Sequence, residues 1–308
     1  MARVEADRYV SVVRKPQDFD QFWHGVLEQA SRIPLDPSVE LDPLRTTAEV
    51  DVYRVHYTSL DWVRISGWYC LPKNRSGKLP AILQMPGYLM DPRVPKDKAK
   101  KGYAVFAAAP RGKVGSRSQF DPGYPGLLTY SIVDRNTYSY RGFYVDVWRI
   151  VDFLLERDEV DPQRIGVSGH SQGGGLTIVT AAMRPEIAAA ASGAPYLCGF
   201  IDAARLTNTY PYQEITDYLR VHPGQAGAVE ETLAYFDAIN FADKIRCPII
   251  VSIGLQDNVC PPETGYAMFN RIASEDKQLY AYDGHGHDAS QRTHTAVIDQ
   301  FFQEHLKP

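Results

Sequence analysis

Apolar residues recur at helical spacing over residues 17–31, where Phe19, Phe22, Trp23, Val26, Leu27 and Ala30 share one face. Pro34 and Pro37 close that segment. Two runs rich in Val, Tyr, Ile and Trp follow in residues 48–71, broken near Ser59 to Asp61, and predict an antiparallel pair. The texture changes at Leu79. Residues 79–87, 103–110, 164–169, 187–194, 247–254 and 277–284 are short apolar runs, each closed by Gly or Pro. Runs without polar alternation suit strands buried on both faces, as in a parallel sheet. Helical patterns lie between them. Val147, Ile150, Val151 and Leu154 mark a face of 142–157, and a second apolar helix spans 173–184, before Pro185. Ala267 and Ile272 mark a third over 262–274, and Val297, Ile298, Phe301, Phe302 and Leu306 mark the last.

Strands alternating with helices predict an α/β fold with a mostly parallel central sheet flanked by helices. No linker interrupts the alternation, so residues 1–308 read as a single domain with an N-terminal helical extension over 1–45. Residues 111–141 and 198–240 do not fit the alternation and read as rim insertions that shape a pocket or an interface.

Composition narrows the class. With 44% hydrophobic and 23% charged residues, the chain is neither disordered nor fibrous. Lys and Arg number 33 against 37 Asp and Glu, a net charge of -4, which lacks the basic field that draws nucleic acid. The cluster Lys96, Lys98, Lys100 and Lys101 is small and offset by Asp91 and Asp97. No run approaches the ~18 apolar residues of a membrane span, and the first residues lack a secretory pattern. The expected partner is a small molecule, and the expected location is the cytoplasm. Cys70, Cys198, Cys247 and Cys260 are widely spaced without CxxC pairs, which argues against a zinc site or a disulfide framework. Tyrosine is over-used, at 19 against 12 Phe, and concentrates in the two insertions. An apolar ring with a polar tip suits pocket walls and subunit contacts.

Gly169-His170-Ser171-Gln172-Gly173 matches G-x-S-x-G, follows an apolar strand and precedes the helical run GGGLTIVTAAM. That context is what a nucleophile elbow requires, because the serine must project from a sharp strand-to-helix turn. A glycine-rich turn with an incidental serine is the bland alternative. The base and acid of such a site follow in the order Ser, acid, His. Asp257, after the strand 247–254, is where an acid belongs; Asp243 precedes that strand and reads as a surface residue. After the last strand, His285 and His287 both occupy the base's place, and position alone allows either. His170 beside the serine reads as a packing residue, and His294 as a residue of the last helix. The expected oxyanion donors are the backbone N–H groups of Gln172 and of Tyr88, in the loop after the strand 79–87.

At Arg111-Gly112, DPGYPGLLTYSIVD with RNTYSYR, GHSQGGG, TYPYQEITDYL, YFDAINFADKI and GLQDNVCPPET, the chain resembles the acetyl xylan esterase / cephalosporin C deacetylase family of α/β hydrolases. The resemblance implies Ser171 as nucleophile, Asp257 as acid, Tyr88 and Gln172 as oxyanion donors, and His285 as base, with His287 the alternative. It implies a serine esterase without metal or organic cofactor. Its substrates would be acetylated xylo-oligosaccharides, other small acetylated sugars and cephalosporin C, and its assembly a hexamer with sites facing an inner chamber. Three positions depart from the family. Gly286 stands after His285 where the family has Glu, Lys113 stands where it has Gln, and the loop after Tyr88 reads LMDPR instead of a glycine-rich stretch. Another acyl hydrolase on this fold, such as a longer-chain esterase or a serine peptidase, and a non-catalytic binding protein are the rival readings.

Overall fold

The computed structural model describes residues 6–308. In chain order the elements are α1 (Phe19–Ser31), β1 (Ser38–Leu41), β2 (Val50–Thr58), β3 (Arg64–Pro72), β4 (Leu79–Met85), α2 (Lys96–Ala99) and β5 (Ala104–Ala109). Then come α3 (Ser139–Leu155), β6 (Val160–His170), α4 (Gln172–Met183), β7 (Ile187–Gly193), α5 (Phe200–Leu206), α6 (Gln213–Val221) and α7 (Ala226–Ala234). The chain finishes with β8 (Ile249–Gly254), α8 (Pro262–Arg271), β9 (Lys277–Tyr282) and α9 (Gln291–Leu306).

All the strands join one 9-stranded sheet in the order β1-β2-β3-β5-β4-β6-β7-β8-β9. From β5 to β9 every neighbouring pair is parallel; β1, β2 and β3 extend the β5 edge antiparallel. The absence of alternation in the central runs has a direct cause. Successive strand residues point to opposite faces, and both faces are covered. Ala81, Leu83, Ala104 and Phe106 belong to the apolar cluster that includes Val147, Ile150 and Val151 of α3 and Leu176 and Val179 of α4. Their neighbours Ile82 and Val105 belong to the opposite cluster, with Phe301, Phe302 and Leu306 of α9.

The antiparallel pair expected in 48–71 is β2 with β3, broken at Ser59 to Asp61 as read, where Asp61 adopts φ 60°. The N-terminal segment is less helical than expected: α1 buries Phe19, Trp23, Val26 and Ala30, but β1 also falls there and pairs with β2. Four residues with mostly exposed side chains gave no pattern to read. The helix expected over 262–274 stops at Arg271.

The insertions are better anchored than rim loops usually are. Leu127, Leu128 and Ile132 of the first are fully buried. Tyr138, Tyr140, Tyr144, Tyr212 and Tyr235 are buried as well and pack into the interior, whereas Tyr124 and Tyr210 line a cavity, as expected of pocket walls. Three of the buried hydroxyls bond backbone: Tyr138 donates to Leu128 O at 2.8 Å, Tyr144 to Phe236 O at 2.7 Å and Tyr212 to Cys198 O at 3.1 Å; Tyr140 OH accepts from the Gln172 side chain and Tyr235 OH donates to Asp18. Buried phenols need such partners.

Candidate active site

Ser171 sits between the end of β6 and the first turn of α4, with φ 60° and ψ -121°. A non-glycine residue in that region costs roughly 1–3 kcal/mol and persists only when its surroundings fix it. Here they do. Ser171 N donates to Gly193 O at 2.9 Å, and Ser171 O accepts from Tyr196 N at 3.0 Å and Gly175 N at 3.1 Å. The motif glycines have a steric reason. A Cβ on Gly173 would lie 2.6 Å from Met85 O, and one on Gly169 would lie 2.5 Å from the Gly173 backbone. The strand, the turn and the helix approach too closely for any side chain.

Asp257 follows β8 in a tight turn, and its carboxylate is held from three directions. Oδ1 accepts from Val259 N at 2.8 Å and Cys260 N at 2.9 Å; Oδ2 accepts from His287 Nδ1 at 2.9 Å. His287 Nε2 lies 2.9 Å from Ser171 Oγ. With the proton on Nδ1, Nε2 is free to accept the serine proton, the tautomer that activates a nucleophile. The side chain of Asp257 is buried, whereas that of His287 is about a third open.

The structure therefore brings together Ser171, Asp257 and His287, and it does not bring His285 with them. His285 turns outward and bonds Asp288 through Nδ1 at 2.8 Å. The cause is the path of the loop. Gln256 N donates to His285 O at 2.9 Å, which ties that peptide to the acid's loop. The chain crosses so close to β8 that a Cβ on Gly254 would meet Gly286 O at 2.0 Å and His285 O at 2.6 Å. Only the next side chain, His287, emerges toward the serine. The sequence held a signal for it. His287 is followed by the acidic Asp288, whereas His285 is followed by Gly286.

His170 does more than pack. Its Nε2 lies 2.7 Å from the carbonyl oxygen of His287, which can only accept, so His170 carries the proton there. Burial first, then the neighbouring His287, lowers its pKa, which favours the neutral ring. His294 belongs to α9, where its Nδ1 meets Tyr282 OH at 2.8 Å, and Asp243 pairs with Lys15 on the surface at 2.8 Å.

Ser171 and His287 open into a cavity of about 440 Å³ lined also by Tyr88, Leu89, Met90, Tyr124, Tyr210 and Glu214. Its wall is braced by polar contacts. Tyr88 OH donates to Glu214 Oε1 at 2.7 Å and accepts from Leu128 N at 3.1 Å, while Gly126 N donates to Glu214 Oε2 at 2.9 Å. Burial raises the Glu214 carboxyl above its ordinary range. Gln172, the first residue of α4, uses its side-chain Nε2 on Tyr140 OH at 2.8 Å.

Among the described residues, Asp257, Cys260 and His287 offer ligand atoms within 4.8 Å of one another. Asp257 and His287 already bond each other there, and burial pushes the Cys260 thiol well above its ordinary pKa, away from the thiolate a metal needs. All four cysteines are free.

A serine on a strand-to-helix elbow above a mostly parallel sheet, with a histidine and an aspartate delivered by later strands, defines an α/β hydrolase. Within that class the acetyl xylan esterase (AXE1) family model matches residues 1–305, and the chain belongs to that family. Acetyl esterase Axe7A of Xylanibacter ruminicola is 30% identical over 284 residues, covering 86% of this chain and 62% of that protein. The chain thus spans under two thirds of that relative's length. Two solved structures match nearly throughout. The acetyl xylan esterase from Paenibacillus sp. R4 has a TM-score of 0.92 at 32% identity, over 99% of this chain and 100% of that one. Acetyl xylan esterase 1 from Thermoanaerobacterium sp. JW/SL YS485 has a TM-score of 0.89 at 28% identity, over 99% and 98%.

Proposed function

We propose that this chain is a serine carboxylesterase that removes O-acetyl groups from small acetylated saccharides. The observation that carries it is the unbroken line Asp257–His287–Ser171, whose His287 and Ser171 line the cavity. Ser171 Oγ attacks the ester carbonyl as His287 Nε2 takes its proton, and Asp257 holds the imidazole and stabilises its charged form. The Gln172 and Tyr88 N–H groups bind the oxyanion; the first also gains from the positive end of α4. The tetrahedral intermediate then collapses. The acyl–oxygen bond of the ester breaks, and His287 gives its proton to the departing sugar hydroxyl. Water, deprotonated by His287, attacks the acetyl-serine, and acetate leaves as Ser171 regains its proton.

Relatives that are acetyl xylan esterases support acetylated xylo-oligosaccharides as the substrate class. The reading extends to cephalosporin C, whose acetoxymethyl group presents the same ester, and to a hexameric assembly, both resting on the sequence resemblance. A cytoplasmic location is supported by four free cysteines, three of them buried. The chain is read as one hydrolase unit: the strands of the described residues form one sheet, and Tyr124, Tyr210 and Glu214 of the two insertions supply part of the cavity wall.

The test is a panel of acetylated sugars and nitrophenyl esters of rising acyl length, with Ser171→Ala as control. The expected result is a steep preference for acetate and a loss of at least about 10⁴-fold in the variant. Retained hydrolysis by pure Ser171→Ala would overturn the assignment.

A further inference from the structure

Lys113 is 1% exposed. A lysine is almost never buried so completely unless something holds its ammonium. Here the ammonium meets backbone. Nζ donates to Gly87 O at 2.8 Å and to Tyr88 O, and it sits 5.0 Å from the centre of the Tyr124 ring. The lysine is itself firmly placed. Its N–H closes a turn on Pro110 O at 3.0 Å, and two residues back Arg111 is locked to the buried Asp146, Nε to Oδ2 at 2.9 Å.

The two carbonyls it grips flank the proposed oxyanion donor. A trans peptide is planar, so C=O of Gly87 and N–H of Tyr88 lie in one plane and point in opposite directions. Tyr124-Pro125 and Tyr210-Pro211 are the cis bonds among the described residues, so the Gly87–Tyr88 peptide is trans. Fixing the oxygen of that peptide fixes the direction of its N–H. Glycine at 87 adds no side chain to hold the plane, and the atoms nearest to where its Cβ would stand are those of Met90, at 3.8 Å. A charged donor on the carbonyl oxygen also draws electron density from the amide, which strengthens the N–H as a donor.

We infer that Lys113 is a positioning residue for the reaction: its ammonium locks and polarises the Gly87–Tyr88 peptide, so that the Tyr88 N–H is already aimed at the oxyanion. The inference rests on the proposed role of Tyr88 as an oxyanion donor. Lys113 does not touch the substrate; it acts through the peptide. The loop has a second hold, since Tyr88 OH is bound by Glu214, but that bond fixes the side chain and not the peptide plane.

The test compares Lys113→Met, which keeps the length and removes the donors, with Lys113→Gln, which restores a neutral donor, on a small acetate ester. Lys113→Met is expected to lower kcat by roughly ten- to a hundred-fold, with KM within about two-fold, because an oxyanion donor acts mainly in the transition state. Lys113→Gln is expected to recover part of the loss. A kcat for Lys113→Met within about two-fold of the parent would overturn the inference. So would a folded Lys113→Gln no more active than Lys113→Met. Ser171→Ala, run alongside, separates the two levels. If it is inactive while Lys113→Met is unimpaired, only the lysine's role fails; if it is active, the reading beneath fails too.

Discussion

His170 and His287 are joined ring to backbone: the Nε2–H of His170 donates to the carbonyl oxygen of His287 at 2.7 Å, and their rings lie 5.3 Å apart. The residue just before the nucleophile therefore holds the loop that carries the base, and nucleophile and base are positioned by one another's segments. His170→Phe keeps a ring and removes the donor. It should lower kcat about ten-fold with little change in KM, the signature of a base held less well. Steady-state kinetics on an acetate ester check this, and an unchanged kcat would remove His170 from the site.

The two loop histidines should separate cleanly. His287→Ala is expected to lose about 10⁴-fold or more in kcat. His285→Ala, whose ring reaches Asp288 and solvent, should stay within about three-fold of the parent. The reverse result would return the base to His285.

Lys113 gives the rate a pH dependence of its own. Burial lowers its pKa to about 7, Asp91 opposing the shift and Arg117 adding to it; the Tyr124 ring is the other face it meets. The charged form is the stronger donor to Gly87 O, so its contribution is present below about pH 7 and fades above. His287 has the opposite need, since only its neutral form accepts the serine proton. The kcat profile should therefore fall on its alkaline side, and Lys113→Gln should lack that fall. A parent profile flat to pH 9 would contradict it.

Gly173→Ala should destabilise the fold by about 1–3 kcal/mol as well as lower activity, because its Cβ would press on backbone that cannot yield. Denaturant melts monitored by fluorescence give the measure, and an unchanged midpoint would contradict the crowding at the elbow.

His294 should make the protein acid-sensitive. Burial lowers its pKa from 6.5 to about 4. Between those values the unfolded chain binds a proton that the folded one refuses, so stability is complete above about pH 6.5 and falls as pH drops toward 4. His294→Asn keeps an acceptor for Tyr282 and should flatten that slope in denaturant midpoints taken across the window.

Much of the fold was legible because a strand covered on both faces has to be apolar on both, as β5 is at every position and β4 and β8 are at all but Gln84 and Ser252. The elbow was legible for a similar reason: its glycines answer to local crowding, and crowding leaves a mark in the sequence. The choice between His285 and His287 was not local. It is decided by where the loop crosses Gly254, a residue about thirty positions earlier, and no spacing rule measured from Tyr282 contains that crossing. β1 was invisible because its pairing with β2, and not its side chains, makes it a strand. The tyrosines were legible only in part: Tyr124 and Tyr210 line the cavity, but a hydroxyl that suits a wet surface also suits a buried carbonyl, and Tyr138, Tyr144 and Tyr212 found carbonyls.

At Gly254 the strand that delivers the acid and the loop that delivers the base touch with no room for a methyl group. A single added carbon there would drive a wedge between the two while Ser171 and most of the cavity wall stayed in place. Gly254→Ala is thus a way to uncouple recognition from turnover. Such a chain would hold an ester it cannot cleave, and as bait in a mixture of acetylated sugars it would retain the compound the site prefers.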